Sequence, residues 1–278
     1  MKKVVYEEDG VATAVGAIFA ILIFLFVLGL FIDNYVPAEM RSFEEQYSLN
    51  VENEVMQIGS ALSLLSADFT PGQSVSVTFD LHSGYVPLFT DPTLGQLSLI
   101  SGSNEGYISV GNLTNEATAG GTISVETNSR YFVDESFVYE YSSIFYQQVG
   151  GRQPVNSTLQ SSLVHVNPPT NGSINLSINL YNFMGGSINS TSQPNLVLSM
   201  TSVSMKTLYL YGNFTVTVSP SFSSLLYGVL RSDLSPVVGL VVSYASNGNG
   251  MQQILVSSNT LPISLRVTLL TVMVTVEG

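Results

Sequence analysis

Few side chains in this chain are of the types that catalyse reactions. The only histidines are His82 and His165, and there is no cysteine. Neither histidine lies in an HxH or HExxH pattern, and no nucleophile-elbow, phosphate-loop or dinucleotide fingerprint is present. Asp80 and His82 lie two apart, so in a strand they share one face, where a solvated pair is favoured over a metal or acid–base site. We therefore predict no enzymatic activity, no bound metal and no cofactor.

The candidate ligand-binding residues are aromatic. Phe137, Tyr139 and Tyr141 alternate with other residues and would share one face of a strand. One interpretation is a face that binds sugars, and the other is ordinary packing within a sheet. Three acidic residues stand close enough in sequence to help bind a cation: Asp134, Glu135 and Glu140.

Candidate glycosylation sites occur along the second part of the chain. Each matches Asn-x-Ser/Thr, the acceptor signature for N-linked glycans. The acceptor residues are Asn112, Asn156, Asn171, Asn175, Asn189 and Asn213.

The charge balance excludes one class of partner. The formal net charge is −12, and the eight Lys and Arg residues are scattered along the chain. Nucleic acid binding requires a basic cluster that neutralises phosphates. Nucleic acid is therefore not an expected partner.

An uncharged apolar segment occupies residues 11–32 and reads VATAVGAIFAILIFLFVLGLFI. As a helix rising about 1.5 Å per residue, it matches the roughly 30 Å hydrocarbon core of a bilayer. Lys2 and Lys3 precede the segment and Arg41 follows it, so the positive-inside rule places the N-terminus in the cytoplasm. We expect a single membrane span, with residues 33–278 outside the cell.

Residues 33–68 show the spacing of an amphipathic helix. Pro37 marks a boundary or kink where the chain leaves the membrane. The apolar residues recur every three or four positions, and acidic residues lie off this stripe. The stripe comprises Met40, Phe43, Tyr47, Val51, Val55, Ile58, Leu62 and Leu65, and the acidic residues are Glu39, Glu44, Glu45, Glu52 and Glu54. The stripe would pack either against the chain's own exterior domain or against neighbouring subunits.

Residues 69–278 predict a β-rich exterior domain, because the apolar period changes from 3.6 to 2. Asn-Gly turns, above all in SNGNG at 246–250, indicate hairpins. Helical spacing returns only at 222–230. The fold class is therefore mainly β: a transmembrane helix, a helical stalk and one antiparallel β-sandwich-like domain. Further strands are predicted at 75–81, 96–100, 107–111, 122–127, 130–146, 174–180, 195–211, 214–218, 236–245, 252–257 and 262–276.

A short charged leader ending at Gly10, the apolar helix after it, and the stalk YVPAEMRSFEEQYSLNVENEVMQIGSALSLL resemble archaeal type IV pilin-like proteins. The resemblance covers residues 1–66. It implies a class III signal peptide, with residues 1–10 removed by cleavage at the Gly10–Val11 bond. It also implies contacts with identical or related subunits through the N-terminal helix.

Two functions follow as alternatives. The first is a structural surface protein, either a pilin-like subunit or an anchored protein for adhesion and display. The second is a membrane-tethered protein that does not polymerise and binds extracellular glycans or solutes. Small residues in the apolar segment would permit close approach of helices, or merely face lipid: Gly16, Ala17, Ala20 and Gly29.

Overall fold

The computed structural model describes residues 6–102, 106–112, 114–140, 143–155, 164–170, 172–191, 196–218, 220–246 and 252–277. Three α-helices are present in these ranges: α1 (Tyr6–Leu30), α2 (Val36–Ala67) and α3 (Pro220–Leu234). A π-helical turn, Phe31–Tyr35, joins α1 to α2. The result is one long N-terminal helix followed by a domain made mainly of strands, as the sequence predicts.

The strands follow in chain order: β1 (Ser74–Phe79), β2 (Gln96–Ile100), β3 (Ile108–Gly111), β4 (Glu116–Ala119), β5 (Thr122–Glu126), β6 (Ser136–Glu140), β7 (Ser143–Gln148), β8 (Gly151–Pro154), β9 (Val164–Thr170), β10 (Ser173–Met184), β11 (Ile188–Thr191), β12 (Leu196–Tyr211), β13 (Phe214–Val218), β14 (Leu240–Ser246), β15 (Gln252–Ser258) and β16 (Ile263–Glu277). Most of the predicted strands and the helix near 222–230 are confirmed. The segment predicted as one strand at 130–146 contains two paired strands, β6 and β7.

These strands form three sheets. The central sheet has the order β1-β12-β16-β10-β9, the helix-side sheet β11-β2-β5-β6-β7-β8, and the outer sheet β14-β15-β13-β3-β4. The pairing predicted across SNGNG is confirmed, because β14 and β15 pair antiparallel. One pairing differs from the antiparallel prediction: β10 and β16 run parallel. Parallel partners need a long connection, which local hairpin signals do not report.

The central sheet contributes to two hydrophobic cores. In β16, Ile263, Leu265 and Val267 belong to the first core, shared with the outer sheet and α3. Further along the same strand, Leu270 and Val272 belong to the second core, shared with α2 and the helix-side sheet. Side chains alternate between faces along a strand, so the change from odd to even numbers means that opposite faces are buried. The central sheet thus joins the two cores.

Helix α2 packs against the chain's own β domain. Its buried stripe includes Tyr47, Val51, Ile58 and Leu62, all within the second core. Full burial of one large aliphatic side chain contributes about 1.5–3 kcal/mol. This stripe therefore packs α2 on its own domain. The helical spacing alone allowed either this domain or neighbouring subunits as the partner.

Candidate functional site

The apolar helix has an exposed surface over most of its length. Side chains from 13 to 27 are exposed, including Phe19, Phe24 and Phe26 at 62%, 64% and 67%. Among the described residues this is the one helix long and apolar enough to cross a membrane. Gly16 and Gly29 have no neighbouring atoms where a Cβ would lie. The surface is therefore free for lipid or for other helices.

A widened turn separates this exposed helix from the docked helix α2. The N–H of Val36 donates to the carbonyl of Phe31, five residues earlier. Pro37 explains the widening, because it has no N–H and its ring would clash with the carbonyl four residues before it. The boundary or kink predicted at Pro37 coincides with the end of this π-helical turn. Phe31 packs on Phe89 with ring centroids 5.1 Å apart, so the turn also contacts the β domain.

Glu44 lies on the buried side of α2, contrary to the sequence prediction that placed it off the stripe. It stands four residues after Met40 and three before Tyr47, which are stripe positions. This spacing indicates a position on the stripe, whereas the charge of the side chain favours an exposed position. The prediction failed because a carboxylate can be buried when donors surround it.

The carboxylate of Glu44 is held by a socket of four donors. The Thr93 hydroxyl lies 2.5 Å from Oε1, and the backbone nitrogens of Tyr131 and Phe132 lie 2.6 and 2.7 Å from Oε2. The backbone N–H of Arg130 donates to both oxygens. Burial alone raises the pKa of Glu44, but these hydrogen bonds outweigh it and hold the pKa below its usual value. The socket therefore binds the ionised form.

One helical turn further along α2, the helix supplies the donor and the β domain supplies the carboxylate. Glu135, buried at the start of β6, accepts a hydrogen bond from the hydroxyl of Ser48 on α2. Tyr146 and Gln148 on β7 donate to its other oxygen at 2.7 and 3.1 Å. Glu44 and Glu135 thus make two reciprocal polar contacts that fix α2 relative to the β domain.

A third carboxylate, Glu54, meets the start of the loop after β1. The backbone N–H of Asp80 lies 3.3 Å from both Glu54 oxygens. Burial, assisted by the negative charge of Asp80, raises the pKa of Glu54 to about 7 despite this hydrogen bond. The side chain consequently changes charge near neutral pH.

Two glycines allow the loops to approach α2 closely. A Cβ on Gly84 would lie 2.7 Å from Cδ1 of Phe43. A Cβ on Gly95 would overlap the hydroxyl of Tyr47 and lie 2.9 Å from the carbonyl oxygen of Glu126. The same Tyr47 hydroxyl is buried without a hydrogen-bond partner among the described residues. A larger residue at either position would displace the facing α2 side chain or, at Gly95, the backbone at Glu126.

The predicted aromatic binding face is not present at two of its three positions. Phe137 and Tyr139 are 2% and 1% exposed and lie in the second core, and Tyr139 packs edge-on against Phe183. Tyr139 offers no surface to a sugar, and Phe137 reaches only the wall of a cavity of about 340 Å³ beside α2. Tyr141 lies outside the described residues. The predicted open face shared by Phe137 and Tyr139 is therefore wrong, because the side chains of α2 pack with both rings in the second core.

The three acidic residues predicted to lie together have different surroundings in the structure. Glu140 pairs with Arg152, whose guanidinium lies over the Phe145 ring, while Glu135 faces Ser48 on α2 and Asp134 is exposed. No group of three or more His, Asp or Glu residues within the described ranges is placed to hold a metal ion.

The two histidines lie apart. His82 Nδ1 is 2.6 Å from Asp80 Oδ1, and both side chains are well exposed, which agrees with a solvated pair. His165 is half-buried in β9.

Four candidate glycosylation residues lie in described ranges. Asn189 is exposed in β11, and Asn213 is in the tight turn between β12 and β13. Asn112 Oδ1 accepts hydrogen bonds from the backbone and hydroxyl of Thr114. The amide of Asn175 donates to the carbonyl of Pro168. Asn156 and Asn171 lie outside the described residues. The bond between Gly10 and Val11 lies within the backbone of α1.

A groove of about 750 Å³ lies on the outer sheet. Alternation along β3, β13 and β15 places its lining on the face opposite the first core, whose members there include Val110 and Val216. Tyr211 lines the groove and is 73% exposed. The lining combines neutral polar side chains, among them Ser109, Thr215 and Gln253, with the apolar Leu255 and the carboxylate of Glu116. Sequence reasoning missed this site because its residues come from distant strands.

Comparison with known proteins finds no matching family model, no matching curated protein and no matching solved structure.

Proposed function

We propose that this chain is a structural protein of the cell surface: a pilin-like subunit, or an anchored protein that displays its β domain for adhesion. One observation carries the proposal. Within one long N-terminal helix, the side chains at 13–27 are exposed and apolar, whereas the stripe of α2 is buried against its own domain. The first part of the helix therefore needs a partner that the described chain does not supply.

Two partners suit this surface. A contiguous apolar surface of this size is unfavourable in water, and a bilayer or a bundle of like helices removes it from water. Gly16, Ala17, Ala20 and Gly29 would let neighbouring helices approach closely. The helix thus serves as a membrane anchor first and as an assembly element when subunits of the same or a related kind bundle together.

The proposed topology is a single pass through the cell membrane at residues 11–32. Lys2 and Lys3 favour a cytoplasmic N-terminus, and Arg41 is the basic residue next after the span. The β domain then lies outside the cell, where the four described sequon residues would meet glycosylating enzymes. A sandwich-like arrangement is supported by the first core, to which the central and outer sheets both contribute.

The mature N-terminus tests the proposal. Mass spectrometry of the chain purified from membranes should find Val11 as the first residue, since pilin-type processing removes residues 1–10. The chain should also be recovered in filaments sheared from the cell surface. An intact Met1 end together with absence from the sheared fraction would reject the pilin-like subunit and leave the anchored display protein. Recovery in the soluble fraction without detergent would reject both.

The outer-sheet groove favours a second candidate, a non-polymerising membrane-tethered protein that binds extracellular glycans or solutes. Hydroxyl and amide groups suit the hydroxyls of sugars, and an exposed tyrosine offers a ring on which a sugar can stack. Binding of the full chain to a glycan array, lost in Tyr211→Ala but kept in Tyr85→Ala, would support this function. Tyr85 is a suitable control because it is 50% exposed and does not line the groove.

A further inference from the structure

Strand β12 extends beyond its neighbour at the edge of the central sheet. β1 pairs with residues 196–201 of β12, and the backbone of Ser202 still bonds to Gly72 and Gln73. The register shifts at Val203, and from 204 to 211 β12 continues along β16, while no described residue pairs with its other side. We call residues 204–211 the free edge.

The free edge is held in place yet exposed. Leu208 and Leu210 pack into the first core, which fixes the strand. Met205, Thr207 and Tyr209 alternate on the other face, and Met205 and Tyr209 are 38% and 58% exposed. Lys206 is the one charged residue of the segment. The free edge therefore offers both unpaired backbone groups and an apolar face.

Most other sheet edges are protected in ways that the free edge is not, the exception being β1, which has six uncharged residues and no proline. Edge strands are usually short, interrupted by proline, charged or covered. β9 contains Pro168 and Pro169, and β4, β8 and β11 have four residues each. At β14, the hydroxyl of Tyr227 on α3 contacts the carbonyl of Val242. A nearly uncharged edge that no described strand covers is a template for another strand.

We propose that the free edge pairs antiparallel with the free edge of a second copy of this chain, about a two-fold axis through Thr207. The pairing would join two five-stranded central sheets into one continuous sheet. An isologous contact of this kind closes after two copies. The proposal does not depend on whether the chain polymerises through α1.

The sequence of the free edge is self-complementary in this register. Thr207 lies near its centre, and an axis there pairs residues 204–210 of each copy while keeping the exposed side chains on one face. Met205 lies opposite Tyr209 of the partner subunit, and the two-fold axis repeats this sulfur–aromatic contact. Lys206 lies opposite Leu208 of the partner subunit, so the two lysines are not placed directly opposite each other.

The net charge of the chain predicts how the contact depends on salt concentration. Each chain carries a formal net charge of −12, so two copies repel each other at long range. The edge itself contains no acidic residue, and salt screens repulsion over roughly 10 Å at 0.1 M. Dimerisation should therefore strengthen as the salt concentration rises, unlike an association built on ion pairs.

Cysteine cross-linking tests both the contact and its register, because the parent chain has no cysteine. In the full chain in detergent, Thr207→Cys should give a covalent dimer on mild oxidation or with a short bis-maleimide. Thr118→Cys, exposed on β4, is the matched control and should remain monomeric. A mixture of Met205→Cys and Tyr209→Cys chains should cross-link more than either variant alone.

Substitution at exposed positions tests the energetics without disturbing the core. Met205→Lys should weaken dimerisation about tenfold. In a two-fold dimer the substitution removes the contact between Met205 and Tyr209 of the partner subunit twice. Light scattering should show a dimer for the parent that increases with salt and a monomer for this variant. A monomeric parent, or equal cross-linking at Thr207→Cys and Thr118→Cys, would overturn the proposal. Cross-linking of the Thr207→Cys variant only to a different protein would also overturn the proposal.

Discussion

The backbone nitrogen of Tyr131 lies 2.6 Å from Oε2 of Glu44, although the two residues are 87 positions apart in the sequence. This hydrogen bond belongs to the socket that fixes α2 on the β domain. It links the helix that continues from the apolar segment to the β domain. A force on either part is therefore transmitted through a buried carboxylate as well as through apolar packing.

Glu44→Gln should destabilise the folded chain by about 2–4 kcal/mol at pH 7, because the amide replaces a charge that four donors hold. Urea unfolding of the detergent-solubilised chain, followed by tyrosine fluorescence, measures the change. Glu45→Gln is the control, since Glu45 is adjacent and exposed, and should change stability by less than about 0.5 kcal/mol. Equal effects of the two substitutions would contradict the role of the socket.

The stabilisation from Glu44 should depend on pH in a defined direction. The folded-state pKa of Glu44 is below the usual value of 4.5, so its contribution is complete above that pH. It is lost as the pH falls through the folded-state pKa. The difference in unfolding free energy between the parent and Glu44→Gln should consequently shrink in acid. A difference that stays constant from pH 7 to pH 2 would argue against the ionised carboxylate.

Glu54 should have the opposite effect on stability. Its folded-state pKa is about 7 against a usual value of 4.5, so the folded chain binds the proton more tightly than the unfolded chain. The unfolding free energy should fall as the pH rises through this window. Glu54→Gln should remove that fall, whereas Glu52→Gln should keep it. A parent chain with no loss of stability between pH 5 and pH 8 would refute the assignment.

Tyr47→Phe should leave stability unchanged or raise it, because the Tyr47 hydroxyl is buried without a described hydrogen-bond partner. Gly95→Ala should destabilise by about 1–3 kcal/mol through overlap with that hydroxyl and the Glu126 carbonyl. The double variant should recover part of this loss, which a double-mutant cycle measures. Gly186→Ala is the control, since no atom lies near its Cβ position. Strict additivity would mean that the two sites do not touch.

Leu22→Arg should impair membrane insertion, since an arginine at the centre of a spanning helix costs about 2.5–3.5 kcal/mol on the insertion scale. The fraction of chain that resists extraction by alkaline carbonate measures the effect. Leu49→Arg is matched, because Leu49 is 55% exposed on α2 outside the span. Loss of membrane association in Leu49→Arg but not in Leu22→Arg would contradict the anchor.

Local periodicity was enough to predict several elements. The strand predicted at 96–100 coincides with β2, and the helix near 222–230 lies within α3. The stripe on α2 was also readable, because every third or fourth residue is apolar. Periodicity could not assign β6, where Val138 and Tyr139 are both buried, since a strand covered on two faces has no solvent side to identify.

The amino-acid sequence by itself determined the apolar helix and the change from helical to strand period at the end of α2. These properties depend on residue types and on neighbours within a few positions. The tertiary structure alone decided that Glu44 is buried, that Tyr139 is core and that β10 pairs parallel with β16. The physical reason is that burial and hydrogen bonding depend on donors brought from far along the chain. Thr93 and Arg130 lie 49 and 86 positions from the carboxylate that they hold.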